Sequence, residues 1–308
     1  MIQHQAFGRR VALVTGASSG IGLATAEKLL REGVFVILTA RSSSLSRFEN
    51  HDFLKLWTHH WLRALDVTHA LERRTLIREI ESKLGRLDIL INNAGVVYRT
   101  PVEYAYDFEG QEQMQVNFHA PLEMIRVCLP LMRRQGHGQI INISSAAGFF
   151  AVPSMGLYAA SKHALEGATE ALYHELRPWN IAISLVQPGF VTADSYEKTH
   201  LGLVMETRRR GTHSVYTRQL RTVSALIEKS LRLTTAKPGD VANAIWRVVR
   251  APRPPLRVQV TLDAQVFAFL KRFLPDSVFE KLIAFCLGKI AARIDSREIP
   301  PPSRAHNV

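Results

Sequence analysis

Val11-Ala-Leu-Val-Thr-Gly-Ala-Ser-Ser-Gly-Ile-Gly22 is the stretch whose reading decides the fold. Val11 to Val14 is an apolar run suited to a strand buried on both faces. Thr15 to Gly22 holds Gly16, Gly20 and Gly22, and Leu23-Ala-Thr-Ala-Glu-Lys-Leu-Leu30 runs on with helical spacing. A strand, a glycine turn and a helix N-terminus make an anion site, because free backbone N–H groups and the helix dipole point at what sits there. Without a Cβ the turn lets a pyrophosphate come close. The spacing is Thr-Gly-x-x-x-Gly-x-Gly rather than the commoner Gly-x-Gly-x-x-Gly, and a glycine turn alone also serves plain geometry.

Outward from this stretch, buried-type strands and helices alternate. Val34 to Thr39 is a second strand run, followed by Ala40-Arg41-Ser42. No acidic residue lies between Val34 and Ser46 to hold the 2′-hydroxyl of NAD(H). Arg41 is instead placed to meet a 2′-phosphate, which favours NADP(H); the alternative is a surface arginine beside a strand. Trp61 to Leu65 reads as a third strand ending in Asp66-Val67-Thr68, with Thr68 as the cap of a helix from His69 to Leu84. Asp66 is either an acceptor for an adenine amino group or a turn residue. His51, His59 and His60 match no metal-ligand spacing and read as surface residues, so no metal is expected.

Leu87 to Ile91 is a fourth strand closed by Asn92-Asn93-Ala94-Gly95, at the strand end where ligand crevices form in open α/β sheets. Phe108 to Arg134 is a long helical stretch with Asn117 in its interior, a poor helix residue there, and Pro121 at a kink or a new first turn. Gln139 to Ile143 is a fifth strand, ending in Ser144-Ser145. A helix opens near Pro153 and runs to Leu176, with Tyr158 and Lys162 one turn apart on one face. Ile181 to Val186 is a sixth strand with the turn Gln187-Pro188-Gly189, and Pro254 to Thr261 a last one. The rhythm implies an α/β fold: a doubly wound parallel sheet of about seven strands with helices on both faces. It spans residues 1–262, with 194–237 as a lid-like insertion and 263–308 as a helical tail.

The 308 residues, 46% of them hydrophobic, suffice for one large core, and the net charge of +12 is spread out. The one tight basic run is Arg208-Arg-Arg210, and no nucleic-acid-binding signature accompanies it, so no nucleic acid is expected. Cys128 and Cys286 form neither a disulfide framework nor a metal spacing. The first ten residues show no apolar secretory segment and no apolar run is long enough to span a bilayer, so a cytoplasmic, soluble or peripheral protein is expected. The tail is apolar, with Val266, Phe267, Phe269, Leu270 and Phe273 among its residues, and is punctuated by Lys271, Arg272, Lys281 and Lys289. It can pack on the sheet or a second subunit, cover an apolar pocket, or lie on a membrane. Packing is the favoured expectation.

Taken in order, Thr15-Gly-Ala-Ser-Ser-Gly-Ile-Gly22, Asp66-Val67, Asn92-Asn-Ala-Gly95, Asn117, Ser145, Tyr158-x-x-x-Lys162 and Pro188-Gly189 resemble the short-chain dehydrogenase/reductase family, of the single-domain Rossmann type. The resemblance covers residues 8 to 192 and 238 to 261. It implies Tyr158 as general acid/base, Ser145 holding the substrate oxygen, Lys162 binding the nicotinamide ribose and lowering the tyrosine pKa, and Asn117 binding the main chain and a relay water. It places Gly16, Ser18, Ser19, Gly20, Ile21 and Gly22 at the pyrophosphate, Asp66, Val67, Asn93, Ala94 and Gly95 on the adenosine side, and Pro188-Gly189 at the nicotinamide. The family's usual threonine four residues after that glycine is Ala193 here, with Thr192 one earlier as its stand-in. The chemistry also follows from the residues. A free tyrosine titrates near ~10, and an ammonium one turn away favours the phenolate. A hydroxyl stabilises a developing alkoxide.

The expectation is an NADP(H)-dependent oxidoreductase interconverting a small-molecule alcohol and its carbonyl, on a lipophilic substrate by family analogy. A homodimer or homotetramer through the long helices is expected by the same resemblance. The rivals are a non-catalytic NADPH-binding regulator and a peripheral membrane or nucleic-acid binder.

Overall fold

The computed structural model describes residues 8–192, 200–201 and 216–298. Seven strands form one sheet: β1 (Val11–Val14), β2 (Phe35–Ala40), β3 (His60–Ala64), β4 (Ile89–Asn92), β5 (Gly138–Ile143), β6 (Ile181–Gln187) and β7 (Arg257–Gln259). Their order is β3-β2-β1-β4-β5-β6-β7, and every pair is parallel. The order reverses direction at β1, which opens a crevice between the ends of β1 and β4. A small separate ladder pairs Tyr98–Arg99 with His200–Leu201.

The strands alternate apolar side chains between two cores. Ala12, Val14, Val36, Leu38, Ile89 and Ile91 face helices α1 (Gly20–Arg31) and α7 (Pro238–Arg250). Val11, Leu13, Phe35, Ile37, Leu90 and Ile140 face α2 (Ala70–Leu84), the long α4 (Ala120–Gln135) and the C-terminal end of α5 (Gly156–Leu176). Both faces are covered, so the strands read as near-continuous apolar runs. The doubly wound α/β sheet expected from the sequence is the fold observed.

Several details depart from the sequence reading for physical reasons. The stretch expected as one helix over 108–134 is α3 (Asp107–Met114), a π-helical turn (Gln115–His119) and α4. Asn117 sits in that π turn, where widened helices commonly mark functional sites, and Pro121 lies in the first turn of α4. Thr68 does not cap α2. Asp66 Oδ1 accepts from Thr68 N (2.9 Å) and its hydroxyl (2.7 Å), and the cap position falls on His69. His59 is buried rather than on the surface, with its Nε2 against the Leu30 carbonyl at 3.0 Å. The last strand shrinks to three residues, because Pro254 and Pro255 have no N–H for a ladder.

Within the expected insertion, α6 (Thr217–Leu233) is described, whereas Arg208 to Arg210 lie outside the described residues. The tail forms two helices, α8 (Leu262–Phe273) and α9 (Asp276–Glu298). It packs on the body as expected: Ala264 and Phe279 are fully buried, and Phe267 and Phe279 lie 4.6 and 6.2 Å, ring to ring, from Phe150. Among the described residues, no helix is long and apolar enough to cross a membrane. No group of three His, Cys, Asp or Glu there is arranged to hold a metal.

Candidate functional site

The glycine turn is held from the next strand. The Thr15 hydroxyl accepts from Asn93 N (3.0 Å) and Ala94 N (3.1 Å) and faces the Ile91 carbonyl at 3.3 Å. Asn93 returns the contact, its Nδ2 donating to the Thr15 and Gly16 carbonyls at 3.0 Å each. Both amide protons of Asn93 are therefore spent on the turn. Its side chain thereby braces the cradle. A Cβ on Gly22 would overlap Asn93 Nδ2 and the Gly16 carbonyl, so the clamp closes only around glycine.

The mouth of the turn fits an anion. Ser19 holds the cap position of α1 without a side-chain hydrogen bond, and no acidic residue lies in the first turn. The first amides of α1 thus have no side-chain partner. Around Gly20, nothing lies within 4 Å of where a Cβ would stand. Ser19 is the cap and Gly20, Ile21 and Gly22 the first turn of α1, with Ser18 just before the cap. At the end of β2, Arg41 is exposed, and its guanidinium makes no hydrogen bond or ion pair among the described residues. It lies close enough to Asp66 to lower that carboxyl's pKa, though burial works against this and the Thr68 turn contributes more. Val67 is buried, with its carbonyl taken by Arg73 at 2.7 Å.

Across the crevice three side chains converge. Ser145 ends the turn after β5, its hydroxyl accepting from Ala147 N at 3.1 Å and lying close enough to the Tyr158 hydroxyl to lower its pKa. Tyr158 and Lys162 share one face of α5, with Lys162 Nζ 5.9 Å from the Tyr158 ring centroid. Lys162 is only 6% exposed, and its Nζ donates to the Ile143 carbonyl at 2.9 Å. Burial lowers its pKa to about 8, opposed by the charge of Glu166. Burial raises the Tyr158 pKa, opposed by the Ser145 hydroxyl. Gly95 joins this group: a Cβ there would stand 4.0 Å from Lys162 Nζ.

Asn117 has no free side-chain donor. Its Oδ1 accepts from Val96 N, and its Nδ2 donates to the Val96 carbonyl (each 2.9 Å) and the Ser161 hydroxyl (3.0 Å). It ties the loop after β4 to the helix that carries Tyr158 and Lys162. Thr192 is exposed, and its hydroxyl donates to the Ala236 carbonyl at 2.9 Å.

The Pro188-Gly189 turn closes the site from above β6. Gly189 N donates to Thr261 Oγ1 (2.8 Å) and Phe190 N to Asp263 Oδ2 (2.9 Å). The sequence reading missed these partners, and also Thr15, Ser161 and Glu166. Glu166 was visible as the next residue on the Tyr158–Lys162 face. It is buried, accepts from Gln187 Nε2 at 2.8 Å and pairs with Arg257 at 3.2 Å.

With the fold and site in place, comparison with known proteins gives the family. The short chain dehydrogenase family profile matches residues 10–201. The chain belongs to the short-chain dehydrogenase/reductase family. A 3-ketodihydrosphingosine reductase from Bacteroides thetaiotaomicron is 35% identical over 88% of the chain and 95% of its own length. An NADPH-dependent 3-dehydrocapnine reductase from Ornithobacterium rhinotracheale is 29% identical over 91% of the chain and 98% of its own length. Among solved structures, a short-chain dehydrogenase from Streptomyces avermitilis superposes with a TM-score of 0.77 at 28% identity, covering 94% of this chain and 99% of that one. A metagenomic short-chain oxidoreductase in complex with NADP superposes with a TM-score of 0.63 at 28% identity, covering 82% and 96%. The chain is thus an oxidoreductase-family protein with a dinucleotide-type crevice.

Proposed function

We propose that this short-chain dehydrogenase/reductase is an NADPH-dependent reductase of a ketone carried on a lipophilic molecule. The observation that carries it is the convergence of Ser145, Tyr158 and Lys162 across the crevice from a helix N-terminus that no side chain caps. Two further facts support the finer points. Arg41 makes no hydrogen bond or ion pair among the described residues and follows the strand end beside which a 2′-phosphate would lie. Two of the relatives are named as reductases of a 3-keto or 3-dehydro compound, 3-ketodihydrosphingosine and 3-dehydrocapnine.

The residues that would hold the nucleotide are the turn Gly16 to Gly22, Arg41, Asp66 and Val67, Ala94 and Gly95, Tyr158 and Lys162, and Pro188-Gly189. When bound, NADPH supplies the hydride that adds to the carbonyl carbon. The protein handles the proton. Ser145 hydrogen-bonds the substrate oxygen, and the Tyr158 hydroxyl gives its proton to that oxygen as charge develops. Lys162 stabilises the phenolate left behind, which solvent then reprotonates. A buried, protonated phenol suits this direction, since reduction needs an acid first.

The test is turnover of NADPH with a panel of short and long-chain ketones. Tyr158→Phe should cost at least ~100-fold in kcat while NADPH binding stays unchanged. Retention of most of the rate would remove Tyr158 from the chemistry. Wild-type protein that binds NADPH but reduces no ketone would favour the regulatory rival. Arg41→Asp should weaken NADPH by about tenfold or more and leave NADH nearly untouched. Equal loss for both would remove the 2′-phosphate contact.

A further inference from the structure

The C-terminal hairpin has two unlike faces. Its inner face is wired to both loops of the site, through Asp263 to Phe190 and through Phe267 and Phe279 to Phe150, five residues after Ser145. Its outer face carries a row of exposed apolar side chains. Leu262, Val266, Phe269 and Phe273 recur at intervals of four, three and four residues, so they form one stripe along α8. They are 76%, 47%, 61% and 64% exposed, and Val278 and Phe285 on α9 are 46% and 58% exposed. Scattered exposed apolar residues are ordinary, but four in register on one helix, two of them phenyl rings in contact at 4.6 Å, mark an interaction surface.

Cations sit against these rings. Arg272 lies 5.8 Å from the Phe273 ring and Lys289 4.5 Å from the Phe285 ring. Lys281 is exposed on α9 as well. Lys271 is paired with Asp276 at 3.0 Å, and the Asp263 carboxylate is turned inward to Phe190, which leaves Glu280 as the one acid of the hairpin's described side chains without such a partner. A second copy of this chain would bring the same cations face to face, and the whole chain carries +12. An anionic lipid surface complements both features, taking the phenyl rings below its headgroups and the ammonium and guanidinium groups among them.

We infer that the hairpin's outer stripe is a membrane-docking face that seats the protein on anionic bilayers. Its link to catalysis rests on the lipophilic-substrate proposal, whereas docking itself does not. A substrate with an apolar tail would then pass along the hairpin that already borders the Ser145 and Gly189 loops, without crossing water.

The full chain is sedimented with vesicles of phosphatidylcholine alone or with a third phosphatidylglycerol, at low and high salt. Binding should require the anionic lipid and weaken with salt. Phe269→Glu combined with Phe273→Glu should lower vesicle binding by about tenfold or more, while leaving the melting temperature and the reduction of a short, water-soluble ketone unchanged. A wild-type protein that stays in the supernatant at millimolar lipid overturns the inference. So does a double variant that binds vesicles like wild type but changes from oligomer to monomer, which would assign the stripe to a second copy. Failure of the ketone assay in wild type would instead strike the proposed activity and leave the vesicle result standing.

Discussion

Two turns close the carboxyl edge of the sheet, and they are built in opposite ways. The glycine turn after β1 is clamped by Thr15 and Asn93, residues of the motifs at the ends of two adjacent strands. The Pro188-Gly189 turn after β6 is clamped from the tail: Thr261 holds Gly189 and Asp263 holds Phe190, across a sequence separation of 73 residues for the second bond. Both clamps leave backbone geometry fixed where a dinucleotide would lie. The first is an internal property of the motif, and the second depends on how a C-terminal hairpin docks. Undocking of the hairpin's inner face therefore has a path to the turn after β6 that it lacks to the turn after β1.

The largest effect that tests this contrast is at Gly189. A Cβ there would overlap the Asp263 carboxylate, so Gly189→Ala must turn that carboxylate off Phe190 N or push α8 away from the turn. Overpacking of this kind costs about 1–3 kcal/mol. The melting temperature should fall, and kcat should fall with it as the turn shifts. Adding Asp263→Ala should relieve the overlap, so that the double variant is no worse than Asp263→Ala alone. Strict additivity of the two losses would show that the latch does not position the turn.

Next in size is Asn93→Ala, which strips two hydrogen bonds from the carbonyls of Thr15 and Gly16. Each carbonyl left without its partner costs on the order of 1 kcal/mol. NADPH affinity should drop by about tenfold, with kcat at saturating NADPH changed little. A drop in kcat with no change in NADPH affinity would break the division between a nucleotide-shaping turn and a chemistry-facing one.

This division also explains what could be seen in advance. β1, β2, β4, β5 and β6 are legible because both faces are largely buried and their apolar runs are near-continuous. Ser145, Tyr158 and Lys162 are legible because local spacing puts them at a strand end and on one helical face. The π turn around Asn117 is not legible: its hydrogen bonds run to Val96 and Ser161, and neither follows from helix propensity. Thr68 was expected to cap a helix and instead donates to Asp66, and the bonds of Asn93 and Thr192 to the backbone were not foreseen, for one reason. Each is a short polar side chain that satisfies a nearby backbone group or side chain, and its choice of partner is a tertiary matter. Asp263 gave no local sign at all, since its meaning lies in a turn far away in the chain.

Glu166 gives the smallest and most specific effect, because it joins the two halves electrostatically. It lies one turn beyond Lys162 on α5, touches Gln187 beside the Pro188 turn, and is held by Arg257, which also pairs with Glu170. Burial brings the Lys162 pKa down to about 8, and the Glu166 charge resists that fall. Glu166→Gln keeps an oxygen for Gln187 but removes the charge, so the Lys162 pKa should fall further. Above its pKa, Lys162 is neutral and cannot stabilise a Tyr158 phenolate. The alkaline limb of kcat for ketone reduction should therefore move to lower pH, with the plateau on its acid side nearly unchanged. Stability should follow the same sign. A lysine with a depressed folded pKa costs stability at pH below that pKa, and the cost fades as pH rises from about 8 toward its ordinary 10.5. Glu166→Gln enlarges the cost, so its melting temperature should fall most at neutral pH and recover toward wild type in alkali. If the variant's alkaline limb coincides with the wild type's while its melting temperature drops equally at every pH, Glu166 acts only as packing between α5 and β7.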